Sequence, residues 1–286
     1  LPHQDSMWTV CLQLPASLSL VGQVRAKQNV LKALGNKLVM RRRADLVLAE
    51  RGLVPSRQKA HALIKDRAVT CDGRLVQKPG QLVRPDADFN VDKTVLRWAS
   101  RGGLKLEHAL EKFSLPTLSE RVCLDLGAST GGFTDVLLSY GVAFVYAVDV
   151  GHGQLAAHLA ADKRVGNLEK THAKDLSDKI ITKPLDLVVC DVSFISVTKA
   201  LGPALSLVRP GGWLIGLIKP QFEVGRAGLG KNGVVKTTEG RTRAIKLVRS
   251  FLESQLGWHV SAVIDSPITG SDGNHEYFIS AQKPGN

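Results

Sequence analysis

The sequence is short of cysteine, of long apolar runs and of repeats, and each shortage removes a class of protein. Four cysteines, Cys11, Cys71, Cys123 and Cys190, lie far apart and form no CxxC pair. That spacing suggests neither a disulfide framework nor a zinc site. It suits a reducing compartment, and a cytoplasmic protein without a metal is expected. No apolar run approaches the roughly 18 residues that a bilayer-spanning helix requires, so no membrane partner is expected. Internal repeats and low-complexity tracts are also missing. Acid is scarce at the front. Residues 1–100 carry 17 Lys and Arg against 8 Asp and Glu, whereas residues 101–286 carry 21 against 18. A front of net +9 on a body of net +3 points to a polyanion-binding module joined to a second unit.

The first stretch is not organised like the rest. Met7 to Gly22 is moderately apolar but is broken by Gln13 and Pro15, and no basic residue precedes it, which makes a poor secretory signal. Residues 23–43 are basic and free of acid, loosely like an organelle transit peptide. The plainer expectation is a leader over 1–40, disordered or upstream of a native start at Met40. A module follows over 41–95. Ala44 to Glu50 predicts a short helix stopped by Gly52, and Ser56 is a good N-cap for a second helix with Ala60, Leu63 and Ile64 on one stripe. Asp72-Gly73 suits a two-residue hairpin turn between Ala68–Cys71 and Arg74–Gln77, and Asp88 to Val91 closes the unit as a strand.

Arg43-Ala44-Asp45, Glu50-Arg51-Gly52-Leu53 and Ser56-Arg57 with Ala60 and Ile64 resemble the S-four RNA-binding domain. The resemblance implies a small α+β domain with structured RNA laid across Arg43, Arg57, Lys59, Lys65 and Arg67. Such side chains neutralise phosphates and set the register of the RNA without reading much sequence.

Past a linker over 96–104, the pattern over 105–286 alternates strands and helices. Strands are expected at Arg121–Leu126, Ala143–Val148, Val165–Glu169, Leu185–Cys190, Trp213–Ile218, Trp258–Ile264 and His275–Ala281. Helices are expected at Phe133–Tyr140, Val197–Val208 and Thr238–Leu256, with a turn at Arg209-Pro210-Gly211-Gly212. Buried strands alternating with helices imply a doubly wound, mainly parallel sheet, whose ligands sit at the carboxyl ends of the strands.

The first of these strands ends in Asp125-Leu126-Gly127-Ala128-Ser129-Thr130-Gly131-Gly132-Phe133-Thr134. Glycines at a strand-to-helix turn let the backbone approach a ligand closely. The GxGxxG spacing of dinucleotide enzymes fails here. The acid-x-Gly-x-x-x-Gly-Gly form instead resembles the first motif of S-adenosylmethionine methyltransferases, which implies cofactor contacts from Asp125, Gly127, Ala128, Ser129, Gly131, Gly132 and Phe133. Asp149 ends the next strand, where an acid can hold the ribose hydroxyls of a bound nucleoside.

The methyl acceptor follows partly by elimination. Methyltransferases of exocyclic base amines resemble one another in an Asn/Asp-Pro-Pro-aromatic motif, and here that place holds Cys190-Asp191-Val192-Ser193-Phe194. Cytosine C5 methylation needs a thiolate, and Cys190 falls within a predicted strand. A ribose 2′-hydroxyl remains, and such a feeble acid needs deprotonation or a strong charge field. Lys105, Asp191, Lys219 and Glu276 offer both, provided that the last strand runs antiparallel and brings Glu276 to the same edge.

This Lys-Asp-Lys-Glu order resembles the tetrad of FtsJ-like ribose 2′-O-methyltransferases. Over 41–283 the chain resembles the TlyA family, notably in Ser100 to Leu106, Tyr146 to Gly151, Asp191 to Ser196, Lys219 to Glu223 and Ser266 to Glu276. The resemblance implies a Rossmann-like methyltransferase sheet with its last strand antiparallel, 2′-O-methylation of cytidine in ribosomal RNA, and ribosomal subunits as partners. Asp191 then serves both cofactor and catalysis, and the label haemolysin comes with the family. The family carries an Asn near His172, a departure that touches the adenine side of the site. Rival readings are an RNA base methyltransferase, a membrane-active haemolysin and a non-catalytic RNA-binding ribosome factor.

Overall fold

The computed structural model describes residues 40–92, 97–225, 228–230, 233–270 and 272–285. Residues 1–39 of the expected leader and the expected domain boundary at 95/96 lie outside the described residues. The front unit begins with strand β1 (Arg42–Arg43), helix α1 (Ala44–Glu50) and helix α2 (Arg57–Lys65). Ser56 caps α2, its hydroxyl accepting the Lys59 amide at 3.1 Å. Strands β2 (Val69–Cys71) and β3 (Arg74–Leu75) form the expected hairpin. Asp72 and Gly73 have φ of +50° and +73°, the paired positive values that the twist of a two-residue hairpin demands. Strands β4 (Leu82–Val83) and β5 (Phe89–Val91) pair antiparallel with β1 and β2. Val47, Leu48, Ala60, Leu63, Ile64, Val69 and Val83 close around a core separate from that of the second unit.

The second unit opens with helix α3 (Gly102–Lys112), so residues 102–104, expected as linker, form its first turn. Strand β6 (Val122–Leu126), helix α4 (Gly132–Ser139), strand β7 (Phe144–Val148), helix α5 (Ala157–Ala160) and strand β8 (Val165–Leu168) follow. Then come strand β9 (Leu185–Cys190), helix α6 (Val197–Ser206), strand β10 (Val208–Ile218) and helices α7 (Pro220–Glu223) and α8 (Thr238–Ser250). Strands β11 (His259–Asp265) and β12 (Tyr277–Gln282) complete a seven-stranded sheet in the order β11-β12-β10-β9-β6-β7-β8. Only β12 runs against its neighbours. Apolar layers cover both faces, one built on Leu124, Val188, Leu201 and Leu214, the other on Leu106, Leu137, Leu187 and Phe278. Truncating such a leucine to alanine costs about 2–5 kcal/mol.

Two expectations are corrected. The turn at Arg209–Gly212 lies inside β10, where the pairing with β9 shifts register between Val208 and Trp213 and Gly211 takes φ +74°. The strand bulges there instead of ending. The long helix is α-helical only to Ser250, then widens into a π-helical turn over Phe251–Gln255 that keeps Leu252 buried. The topology also fixes where a ligand goes. The chain leaves β6 toward β7 and β8, then returns to lay β9 on the other side of β6. A crevice opens at the carboxyl ends where the strand order reverses.

Candidate active site

The crevice starts from the glycine turn after β6. Gly127 has φ +88°, and a Cβ there would stand 2.8 Å from the Asp191 carbonyl oxygen. Gly131 has φ +93°, and a Cβ would meet Leu159 at 2.3 Å. Both positions therefore require glycine, and the turn is held flush against the end of β9. Asp125, wholly buried, ties the turn to α4. Its Oδ2 accepts the Thr134 amide at 2.9 Å and the Thr134 hydroxyl at 2.7 Å. Its Oδ1 is buried with no hydrogen-bond partner. Burial, reinforced by the nearby Asp191 and Asp149, pushes the Asp125 carboxyl up to about 7 against the pull of Thr134.

Asp149 ends β7 as expected. Its Oδ2 accepts the Ser129 amide at 2.8 Å and its Oδ1 the Gly151 amide at 2.7 Å, so it joins the glycine turn to the following loop. Glu169 shapes that loop from below. It accepts the amides of Gly153 and Gln154 at 2.8 and 2.9 Å, which holds its carboxyl at about 2. Gln154 is thereby fixed at the cleft, facing Ser129. Neither Glu169 nor Gln154 was legible from the sequence.

The four charged residues do converge. Asp191 follows β9, Lys219 follows β10, and Glu276 immediately precedes β12, whose reversed direction puts its start at the carboxyl ends of its neighbours. Lys105 reaches the same cleft from the first turn of α3. They form two ion pairs. Lys105 Nζ lies 2.5 Å from Glu276 Oε2, both nearly buried at 6% and 4% exposure. Lys219 Nζ lies 2.6 Å from Asp191 Oδ1 and donates a hydrogen bond to Ser193 Oγ at 2.7 Å. Burial alone would lower the Lys219 pKa. The Asp191 carboxylate, with help from Glu276, overcomes it, so the amine is held above its ordinary value.

The cleft encloses about 300 Å³ and is lined by these four residues together with Gly127, Ala128, Ser129, Gly132 and Phe133. Asp125, Gly131 and Asp149 brace the turn from behind without lining the cleft. Beside it, Phe194 is 92% exposed at φ +66°, an unusual conformation for a bulky residue, with its ring 5.5 Å from that of Phe222. The sequence carried Phe194 only as one letter of a motif. Cys190 is fully buried, and burial pushes its thiol up to about 12, which disqualifies it as a nucleophile. Among the described residues, no group of three or more His, Cys, Asp or Glu could hold a metal ion.

In the front unit the buried Asp45 gathers two arginines and a histidine. Its carboxylate accepts from Arg43 at 3.0 Å and Arg57 at 2.8 Å, and contacts His61 Nε2 at 2.7 Å. Lys65 and Arg67 are exposed. Lys59 is turned elsewhere, its Nζ donating to the Trp98 carbonyl, and burial lowers its pKa.

An FtsJ-like methyltransferase family model matches residues 98–283, and an S4 domain model matches residues 42–89. The chain is 43% identical over 243 residues to the 16S/23S rRNA (cytidine-2′-O)-methyltransferase TlyA of Mycobacterium tuberculosis, covering 85% of this chain and 90% of that one. It is 35% identical over 236 residues to Hemolysin A of Brachyspira hyodysenteriae, covering 82% and 97%. A solved structure of a candidate hemolysin from Streptococcus thermophilus superimposes with a TM-score of 0.68 at 35% identity, covering 86% and 90%.

Proposed function

The chain belongs to the FtsJ-like methyltransferase family, in its TlyA branch, and from that premise we propose that it methylates the ribose 2′-hydroxyl of a cytidine in ribosomal RNA, with S-adenosylmethionine as donor. The observation that carries the reading is the meeting of Lys105, Asp191, Lys219 and Glu276 in one cleft as two ion pairs. The choice of cytidine and of ribosomal RNA draws on the M. tuberculosis relative. The S4 match and the basic front support an RNA partner, with residues 41–95 as the binding part and 105–286 as the transferring part. A ribosomal substrate calls for a cytoplasmic location.

The residues around the glycine turn fit S-adenosylmethionine. Asp125 Oδ1 is a buried acceptor without a partner, suited to a cation, and the turn has room for backbone approach only because glycine occupies it. Gly127, Ala128, Ser129, Gly132, Phe133 and Asp191 would hold the cofactor, with Asp125, Gly131 and Asp149 shaping the turn behind them. When bound, it supplies a methyl group on a positively charged sulfur, open to attack by oxygen.

The remaining steps fall to the chain's own side chains. Lys219, held protonated by Asp191, acts as a fixed positive charge and steadies the negative charge that gathers on the 2′-oxygen. Asp191, a carboxylate that lines the same cleft, takes up the hydroxyl proton. Lys105 and Glu276 present a donor and an acceptor to the neighbouring ribose oxygens. The exposed ring of Phe194 offers a stacking face for a base turned out of the RNA. Arg43, Arg57, Lys65 and Arg67 supply phosphate contacts.

The buried thiol of Cys190 argues against C5 methylation. Among the described residues no helix is long and apolar enough to cross a membrane, and no observation favours a lytic activity over the ribose. Nuclease digestion and mass spectrometry of ribosomal RNA, with and without the active protein, tests the proposal. A 2′-O-methylcytidine that depends on the protein is the expected product, and a methyl group found on a base would refute it.

A further inference from the structure

The cleft has a wall from the other domain. Ala62, Lys65 and Asp66, at the end of α2, line it together with Arg101, which precedes α3. Asp66 Oδ2 accepts the Arg101 amide at 2.9 Å, and Lys59 donates to the Trp98 carbonyl, so the front domain is tied to the start of the helix that carries Lys105. The charges inside can be accounted for one by one. Lys105 is matched by Glu276 and Lys219 by Asp191, while Asp66 is engaged by a backbone amide. Lys65 and Arg101 have no ion pair and no side-chain hydrogen bond among the described residues, though both line the cleft.

We infer that Lys65 and Arg101, one from each domain, form an oxyanion site within the methyl-transfer cleft, and that the site is complete only while Asp66 docks the front domain. The inference rests on the proposed methyl transfer. With Asp66, Asp191 and Glu276 counted, the lining still holds one more basic than acidic side chain. Lys65 and Arg101 are the ones without a partner among the described residues, an arrangement that suits an oxyanion. That reaction brings two oxyanions to the cleft. One is the RNA phosphate beside the target ribose; the other is the carboxylate at the amino-acid end of S-adenosylmethionine. Lys65 therefore belongs to the reacting centre rather than to the outer RNA-binding surface alone.

The test uses the full chain, with Lys65→Ala compared with the unaltered protein. Lys65 is exposed, so the variant should melt at the same temperature. If the ligand is the RNA phosphate, the single-turnover rate at saturating S-adenosylmethionine falls about tenfold. The slope of log Kd for RNA against log salt also drops by about one, with cofactor affinity unmoved. If it is the carboxylate, S-adenosylmethionine binds about tenfold more weakly, while 5′-methylthioadenosine, which lacks that group, binds as before. Asp66→Asn should shift the same quantity in the same direction by loosening the docking. Lys65→Ala matching the unaltered chain in both arms overturns the site. Ribose methylation by the unaltered chain is read in the same assay. Its failure would condemn the proposed function, whereas an indifferent Lys65 beside normal methylation condemns only this inference.

Discussion

Asp45 and Asp125 are both shut away from water, one in each domain, yet they sit at opposite ends of the carboxylate range. Burial drives both upward. Around Asp45, hydrogen bonds from Arg43, Arg57 and His61 outweigh it and hold the carboxyl far below its usual value. Around Asp125 only Thr134 opposes it, and the carboxyl rises to about 7. Asp45 has the company of cations that Asp125 lacks. It is complete as it stands and serves to fix Arg43, Arg57 and His61 on a surface. Asp125 keeps one oxygen without a partner, as befits a group that waits for a ligand. Asp191 and Glu276 each face one lysine.

The severest way to break this pattern is to take the lysine from Asp191. Lys219→Ala leaves the Asp191 carboxylate without its cation and removes the charge that supports the 2′-oxygen. Turnover should fall by about a hundredfold or more, with RNA and cofactor affinity near normal. Lys219→Arg should rescue little, because a planar fork does not replace a compact charge between Asp191 and Ser193. The raised pKa of Lys219 also sets a sign. Activity that needs the ammonium is present below that pKa and lost as pH rises through it. A variant that turns over at the normal rate would leave the pair structural only.

The reverse manipulation removes the acid from the cations. Asp45→Asn keeps the shape of the front domain but releases Arg43 and Arg57 from their fixed places. RNA binding should weaken by about tenfold, as expected when two charged hydrogen bonds lose their orientation. Filter binding measures it, and unaltered affinity would mean that Asp45 organises nothing that RNA touches.

Asp125→Asn gives a smaller effect with a distinctive pH signature. Folding raises the pKa of Asp125, so the folded state favours the neutral acid. The group therefore opposes folding progressively as pH rises from the ordinary carboxylate range through about 7. In the absence of cofactor, the melting advantage of the asparagine variant over the unaltered protein should be larger at about pH 8 than at about pH 4. An equal difference at both values would mean that Asp125 finds a partner.

Much of this was legible in the sequence because strong local rules applied. Asp72-Gly73 demanded its turn, Ser56 its cap, and the apolar runs of Leu124 and Val188 their places in a buried sheet. Asp191 and Lys219 were readable as strand-end residues. Glu276 hung on the last strand running antiparallel and Lys105 on a helix whose first turn the sequence reads as linker, so the set of four came with the family resemblance. The rest depended on distant pairings. Nothing near Lys59 signals that its ammonium reaches the Trp98 carbonyl, nor near Asp66 that it takes the Arg101 amide. The run Arg209–Gly212 has the composition of a turn, and only the neighbouring β9 keeps it in the sheet as a bulge. Phe194 advertises nothing until its exposure and positive φ are seen together.

The smallest effect distinguishes the two charge clusters by salt. Arg57 is exposed, and RNA binding through it releases counterions from phosphate, so it contributes to the slope of log Kd against log salt. Lys219 is 7% exposed and paired with Asp191, so its charge is screened little and was never free to bind phosphate. Arg57→Ala should therefore flatten the slope by about one unit, with a modest loss of affinity at low salt that shrinks as salt is raised. Lys219→Ala should leave the slope where it was while abolishing turnover. Lys59→Ala provides the control within the front domain. Its ammonium is committed to Trp98, so it should change the slope less than Arg57→Ala does. Equal slopes for the Arg57 variant and the unaltered chain would show that the cations held by Asp45 are a solvated surface, and the contrast between outward charge for binding and inward charge for chemistry would then fail in its first half.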